Sequence, residues 1–298
     1  MRLPRLSPLW IRTLIAVGVF LVGLIATQWW AYQVVSHQEE HAATEASERA
    51  DQFRDRLEST TASAYFITHS LDLYVRNNNG KIERQETNNL LLGLYNHGEF
   101  VRSVALAPGN RIAYIEPLEG NGTALGLYYP DNPEQWPAIQ AAIANRQPTF
   151  TGPITLVQGG RGLAYRVPIY INTGRYWGIA STVLDADAYI GSAAATSNLS
   201  ASQSAVRSVG TNGEPGTVFW GDPNIFAANA SLADVKPLGA NWQVAVLPAP
   251  VDAAIVRPTQ VFGTLISLVL AGMIWLLLGS RERHMELSRT LTSLSRQA

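Results

Sequence analysis

Two long apolar stretches without charged residues constrain the fold more than any other feature of the sequence. Thr13 to Gln38 contains no Asp, Glu, Lys or Arg, and Leu14–Trp30 within it is almost wholly apolar. Pro258–Ser280 is a second stretch of this kind. A helix of roughly 20 such residues crosses the ~30 Å hydrocarbon core of a bilayer. The sequence therefore predicts two transmembrane helices, with most of the chain between them.

Basic residues flank both predicted helices on the sides away from the middle of the chain. Arg2, Arg5 and Arg12 precede the first, and Arg281 and Arg283 follow the second. By the positive-inside bias both termini are expected in the cytoplasm of a bacterial cell, with the central domain in the periplasm and the lipid bilayer as a partner. A cleaved signal peptide is the alternative, but its apolar core is usually only about 7–15 residues long. Neither stretch contains Gly-x-x-x-Gly, so the sequence itself predicts no pairing motif.

Composition excludes several classes of function. A net charge of -1 argues against a nucleic-acid partner, because phosphate binding needs clustered Lys and Arg. The absence of cysteine excludes disulfides, thiol nucleophiles and Cys-ligated zinc. We expect no cofactor and no metal.

The segment after the first apolar stretch is expected to be a helical stalk. Gln33–Asn77 contains neither Gly nor Pro, and small or apolar residues recur at steps of three and four from Ala43 to Tyr74. Such spacing indicates either a coiled-coil seam or a face that packs against the chain's own domain, and both interpretations are open. The Asn-Asn-Asn-Gly run ending at Gly80 is expected to terminate the helix.

The middle of the chain has the pattern of an α+β unit. Short β-rich runs, two pairs of which are separated by turn residues, alternate with short helical runs, which suggests antiparallel sheets with helices on one side. The expected strands are Phe100–Leu106, Arg111–Ile115, Gly162–Ile171, Tyr176–Val183, Ala205–Val209, Thr217–Trp220 and Trp242–Leu247, and the expected helices are Trp136–Asn145 and Ala186–Ala195.

These elements divide the chain into seven expected segments. They are a cytoplasmic N-terminus (1–12), a first transmembrane helix (13–32), a stalk helix (33–80), a membrane-distal module (81–195), a membrane-proximal module (196–257), a second transmembrane helix (258–280) and a cytoplasmic linker helix (281–298).

A series of short motifs follows in order through Val104–Asp187. They are Ala107-Pro108-Gly109-Asn110, Pro117-Leu118-Glu119-Gly120-Asn121, Gly126, Thr151-Gly152-Pro153, Leu156-Val157-Gln158-Gly159-Gly160, Pro168, Tyr176-Trp177-Gly178 and Asp185. With these motifs the segment resembles the CHASE family of extracellular sensory domains. Gly239-Ala240-Asn241-Trp242 and Leu247-Pro248 are similar to that family's closing strand, so the resemblance covers most of Gln33–Arg257.

The resemblance implies a long helix that carries two PAS-like modules, with small-molecule recognition usually in the membrane-distal one. It also implies a histidine kinase or a cyclic-di-nucleotide enzyme, such as a diguanylate cyclase, as the output. No GGDEF-like, H-box or kinase signature is present, so we expect the output in a longer parent protein or in a partner.

Within this segment, polar and aromatic residues are candidates for contact with an unknown small-molecule ligand. Tyrosines supply aromatic walls, charged groups supply ion pairs, and Asn121 and Gln158 supply amides. Each has a structural alternative, such as strand packing or, for Asp185, capping of the next helix. The candidates are Tyr114, Glu116, Glu119, Asn121, Gln158, Arg166, Tyr170, Tyr176 and Asp185.

Catalysis in this chain is not expected. His37-Gln38-Glu39-Glu40-His41 matches the H-x-x-E-H pattern of some zinc proteases, but it lies on the predicted stalk without a third ligand. The expected function is a membrane-anchored receptor that binds a small molecule and signals across the membrane as a parallel homodimer, paired through the stalk and the cytoplasmic linker. A periplasmic protein-interaction module is the alternative, and a membrane-bound hydrolase is a third.

Overall fold

The chain forms two compact units, residues 1–42 with 249–298 and residues 43–248. The computed structural model describes residues 8–172, 174–210, 212–251 and 253–294. The first helix, α1 (Pro8–Asn77), contributes to both units. It runs without interruption through Gln33–Asn77, as the helix prediction for this segment requires, and it ends before Gly80, whose φ of +76° favours glycine.

In the first unit, the apolar part of α1 packs antiparallel to a second helix, α5 (Ala253–Leu294). Both helices are long and apolar enough to cross a membrane. Small residues let the two helices approach closely. Gly23 has no Cβ, and a Cβ added there would lie only 2.7 Å from the Cβ of Ser267, which is too short for an ordinary contact. Gly263 lies against Thr27 in the same way. The helices thus pair through Gly-x-x-x-Thr and Gly-x-x-x-Ser, which a search for Gly-x-x-x-Gly misses.

The second unit contains a five-stranded antiparallel sheet with strand order β2-β1-β5-β4-β3. Its two hairpins, β1–β2 and β4–β5, are the two predicted ones. The elements are α2 (Arg84–Asn96), β1 (Val101–Pro108), β2 (Tyr114–Glu116), α3 (Trp136–Asn145), β3 (Thr149–Thr155), β4 (Arg161–Tyr170), β5 (Tyr176–Asp185) and α4 (Ala186–Thr196).

A four-stranded antiparallel sheet with strand order β7-β6-β9-β8 completes the second unit. Aromatic contacts join the two sheets, since Phe150 lies 5.6 Å from Trp242 between ring centroids. The strands are β6 (Ser204–Val209), β7 (Pro215–Gly221), β8 (Ser231–Val235) and β9 (Trp242–Val246).

The apolar seam of α1 packs inside its own domain. Phe53, Leu57 and Leu71 are fully buried and share one core with Leu163 of β4 and Tyr189 of α4. This selects the second of the two interpretations of the stalk. These residues are not free to meet a partner helix, so a dimer seam built on them is wrong, and the dimer itself stays a prediction.

Helices cover both faces of the five-stranded sheet, so the expectation of helices on one side is wrong. α1 and α4 pack on one face, in the core that contains Leu163. On the other face, Ile139 of α3 packs with Ala105 and Ile179. A pocket lies on the face that α3 covers.

Candidate ligand-binding site

Adjacent residues of β4 and β5 point to opposite sides of the five-stranded sheet. Across these strands Arg166 pairs with Ser181, and Tyr165 pairs with Thr182. Because successive side chains of a strand alternate, each pair lies on its own face. We call the side of Arg166 and Ser181 the pocket face, and the side of Tyr165 and Thr182 the helix face.

The pocket face borders a cavity with about 380 Å³ of space between its walls. The cavity is narrow in this conformation, with room for only a few water molecules. Its walls combine apolar side chains with a few polar ones, the usual composition of a small-molecule site. They are Ser103, Ala105, Ile112, Ile115, Ala124, Leu127, Tyr129, Gln135, Leu156, Val157, Gln158, Arg166, Ser181 and Val183.

Arg166 is the one charged residue in this lining, and it is 2% exposed. Its Nη1 donates to Thr151 Oγ1 over 2.9 Å, and its Nη2 donates to Gln135 Oε1. Its guanidinium also lies 5.4 Å from the centroid of the Tyr129 ring. These neutral groups orient the guanidinium but do not neutralise its charge.

Two polar atoms of the pocket face have no hydrogen-bond partner among the described residues. They are Nε of Arg166 and Oγ of Ser181, and both are buried. A buried donor or acceptor without a partner is costly, so such atoms are uncommon in folded proteins. Their presence in the wall of a cavity marks the cavity as a candidate site.

The helix face differs, because its polar side chains are bonded to consecutive residues of α1. The hydroxyls of Thr68 and Thr182 are 2.7 Å apart, and Thr68 also donates to the carbonyl of Ala64. Nε2 of His69 lies 3.1 Å from the Tyr165 hydroxyl. Arg166 and Ser181 of the pocket face are thus the chain neighbours of Tyr165 and Thr182, which are bonded to α1.

Burial changes the acid–base properties of the His69–Tyr165 pair. Loss of hydration raises the pKa of Tyr165 to about 12, with a smaller effect from Tyr65. Burial also lowers the pKa of His69, against an opposing effect of Asp72. Both shifts favour the neutral forms, which suit a hydrogen bond between two partly buried groups.

A family comparison agrees with this architecture. The model of the CHASE domain family matches residues 22–220, about two thirds of the chain. The chain belongs to the CHASE family. The resemblance drawn from the sequence motifs is therefore confirmed, and with it the sensory character of the domain. No curated protein matches the chain.

Several solved structures of sensory and ligand-binding domains align with this CHASE domain. An extracellular ligand-binding receptor from Desulfohalobium retbaense DSM5692 aligns at 13% identity with a TM-score of 0.52, over 66% of this chain and 39% of that one. The ligand-binding domain of the Pseudomonas aeruginosa PAO1 amino acid chemoreceptor PctC, in complex with GABA, gives 16% identity and a TM-score of 0.49, over 70% and 98% of the two chains. The sensory domain of the Campylobacter jejuni chemoreceptor Tlp3 aligns at 11% identity with a TM-score of 0.45, over 78% of this chain and 98% of that one. At these identities the likeness concerns the fold alone.

Of the ligand-contact candidates in the CHASE domain, Gln158 and Arg166 line the cavity. Asn121 is close by but has a structural role. Its Nδ2 donates to the carbonyls of Arg102 and Pro117, and its Oδ1 accepts from Nε2 of Gln158 over 3.3 Å. Asn121 therefore holds the loop that carries Gln158 against the cavity.

Glu119 and Asp185 lie instead along an open groove, of about 620 Å³, which Asn121 and Arg102 also line. Asp185 accepts from the backbone N–H of Ala188 over 2.9 Å and so caps α4. It also lies 3.8 Å from Nη1 of Arg102. The capping alternative foreseen for Asp185 is therefore realised.

The other four candidates do not line the cavity. The Tyr170 hydroxyl donates to the carbonyl of Ile143 over 2.5 Å, and the Tyr176 hydroxyl donates to Asn110. The guanidinium of Arg84 lies over the ring of Tyr114, 5.1 Å from the ring centroid. Glu116 is half-buried at the end of β2. The three tyrosines thus support neighbouring elements.

Sequence reasoning missed four polar residues of the cavity: Ser103, Tyr129, Gln135 and Ser181. Strand alternation could have found two of them, because Ser103 and Ser181 each share one side of a largely buried strand with apolar residues two positions away. Tyr129 and Gln135 lie on the segment between β2 and α3, where no periodic pattern indicates orientation.

The H-x-x-E-H pattern forms no recognisable metal site. Nδ1 of His37 lies 3.7 Å from Glu40, and both side chains are more than 70% exposed. Within the described parts of the chain, no cluster of three or more His, Asp or Glu side chains could hold a metal ion. The pattern is explained by the charged surface of α1.

Proposed function

We propose that the chain is the sensory part of a two-pass bacterial membrane receptor. Residues 43–248 bind a small molecule outside the cytoplasm, and the helices at 13–32 and 258–280 cross the inner membrane. The signal passes to a cytoplasmic output, a diguanylate cyclase or a histidine kinase. Membership of the CHASE family supports the sensory role, and the fold shared with an extracellular ligand-binding receptor supports the location.

The observation that carries ligand binding is the pair of unpartnered polar atoms in the cavity wall. Arg166 Nε and Ser181 Oγ belong to paired residues of neighbouring strands, so one ligand can reach both. A ligand that supplies both with partners removes their desolvation cost, which the unliganded protein bears.

A contact between the two helices supports the proposed topology. In the helix pair, Nη1 of Arg12 lies 3.7 Å from a carboxylate oxygen of Glu282, and Arg12 also stacks on Trp275 at 4.4 Å. Arg12 of α1 therefore lies at the same end of the pair as Arg281 and Arg283 of α5. The positive-inside bias assigns that end to the cytoplasm.

The route of the signal starts at the sheet. A ligand that pulls on Arg166 and Ser181 shifts β4 and β5, and the chain neighbours Tyr165 and Thr182 hold His69 and Thr68 of α1. Because α1 continues without a break to Pro8, a shift at Thr68 can reach the first apolar segment. The ligand must bind one arrangement better than the other for this to occur.

Thermal unfolding of the full chain in detergent micelles, screened against a metabolite library, tests ligand binding. At least one compound is expected to raise the melting temperature, because binding to the folded state stabilises it. Ser181→Leu, which fills the cavity, should abolish the shift, whereas Ser192→Leu on α4 should retain it. If no compound acts, or if Ser181→Leu keeps the full response, this cavity is not the ligand site.

A further inference from the structure

We infer that the ligand of this cavity carries an anionic group, a carboxylate or another oxyanion of similar size, that binds the guanidinium of Arg166. The inference rests on the proposed function, since it takes the cavity as the ligand site. It adds the chemical class of the ligand.

The burial of Arg166 without a counter-charge is the first step. A guanidinium stays protonated in proteins, so a residue that is 2% exposed keeps a full positive charge inside the domain. Buried charges are ordinarily paired with an opposite charge. Among the described residues, no Asp or Glu forms an ion pair with Arg166, while Arg76, Arg102 and Arg161 each have a carboxylate partner.

The second step concerns the free donors. Thr151 and Gln135 accept from Nη1 and Nη2, but a guanidinium carries five N–H groups, and the one on Nε is buried without an acceptor. A carboxylate can accept two parallel bonds from a guanidinium, and its second oxygen can accept from a neighbouring hydroxyl. Ser181, directly across from Arg166 in the sheet, offers such a hydroxyl without a partner of its own.

The surroundings favour an anion over a cation or a zwitterion. No acidic side chain lines the cavity, and the nearby Asp185 already caps α4 and faces Arg102. A ligand ammonium group would therefore find no carboxylate there. The rest of the wall is mainly apolar, with Ile112, Ile115 and Leu127, and suits a short hydrocarbon body. The chemistry that fits is a small organic acid with an apolar tail.

Paired compounds test this inference on the full chain in detergent micelles. The probes are short-chain aliphatic monocarboxylates, dicarboxylates and α-amino acids. The monocarboxylates are matched with their neutral amides and the dicarboxylates with their neutral diamides. We expect acids with an apolar tail to raise the melting temperature and their amides to have little effect. Calorimetric titration of the best acid should show that Arg166→Met binds it at least about 30-fold more weakly than the wild type. This is the smallest loss of affinity expected when one partner of a buried charge pair is truncated.

Controls separate a binding role of Arg166 from a structural one. Without any probe, Arg166→Met is expected to melt near the temperature of the wild type, because the removal of an unpaired buried charge offsets the loss of the hydrogen bonds to Thr151 and Gln135. Arg161→Met, which removes an arginine that is paired with Asp187, should keep the full acid response.

The outcomes distinguish this inference from the proposed function. Neutral amides that bind as well as the acids, with a response blocked by Ser181→Leu, would overturn the anionic class and leave the cavity as the ligand site. Acids that bind Arg166→Met as well as the wild type would overturn the role of Arg166. No response to any acid would overturn the inference, and only the wider metabolite screen would then decide the proposed function.

Discussion

The two faces of the five-stranded sheet use the same kinds of residue in opposite ways. On the helix face, the hydroxyls of Thr182 and Tyr165 are bonded to α1. On the pocket face, Ser181 and Arg166 keep buried polar atoms without partners. The difference teaches that polar groups in one sheet are not equivalent. Those on the helix face hold the fold together, and those on the pocket face are the groups that the proposed ligand would contact.

The largest expected effect contrasts apolar residues of the two faces. Leu163 is fully buried on the helix face, in the core with α1 and α4. Leu163→Ala is expected to lower the free energy of unfolding by about 2–5 kcal/mol, because it leaves a cavity in a packed core. Leu156→Ala should cost less, since Leu156 already borders empty space. Urea unfolding of the full chain, followed by tryptophan fluorescence, measures both, and equal losses would mean that the pocket face is packed as tightly as the helix face.

A sharper comparison uses two neighbours on β5 that point in opposite directions. Thr182→Val should cost about 0.5–1.5 kcal/mol, because it removes the hydrogen bond between the hydroxyls of Thr182 and Thr68, while Thr68 keeps its bond to the carbonyl of Ala64. Ser181→Ala should cost nothing or stabilise slightly, since its hydroxyl has no partner among the described residues. The same urea titration compares them, and a greater loss for Ser181→Ala would contradict the assignment of the two faces.

A double-mutant cycle checks that the Thr182 effect comes from the hydrogen bond. Thr68→Val with Thr182→Val should cost less than the sum of the single changes, because no hydroxyl is then left without its partner at the contact. Additive losses would indicate that the side chains matter only through packing.

Much of the fold follows from the sequence because local signals and tertiary structure agree. Pro133 shortly before α3, Asp185 before α4 and the turn residues of the two hairpins place those elements within a few residues. By contrast, α2 follows Glu83, an uncommon N-cap residue, whose carboxylate accepts from the N–H groups of Gln85 and Glu86. Its mostly polar sequence gives no clear periodic signal.

Strand β3 was missed because Gly152-Pro153 reads as a turn. In the structure this pair lies inside the strand, at a register shift between Thr151 and Ile154 that the edge position tolerates. β8 has the five residues Ser-Leu-Ala-Asp-Val, which do not alternate between polar and apolar.

The candidate site was only partly accessible to sequence reasoning. The sequence identifies Arg166 as a charged group that a ligand could contact, but its lack of a counter-charge depends on contacts between distant residues. Tyr114, Tyr170 and Tyr176 were chosen as aromatic walls, yet each has a neighbouring element to support. The sequence shows which residues could contact a ligand, and only the fold shows which of them already have partners within the protein.

The smallest expected effect is a pH dependence confined to the helix face. Burial lowers the pKa of His69 below the usual value of 6.5. Between the two pKa values the unfolded chain binds more protons than the folded one, so stability falls as the pH drops through about 6.5 and levels off below the folded-state pKa. Melting temperatures of wild type and His69→Gln, measured between about pH 8 and pH 5, isolate this contribution, since all other titrating groups are common to both. The difference between the two proteins should change in this window, to the disadvantage of the wild type at the acid end. A constant difference would show that protonation of His69 does not disturb its contact with Tyr165, and that the helix face tolerates a charge there as readily as solvent does.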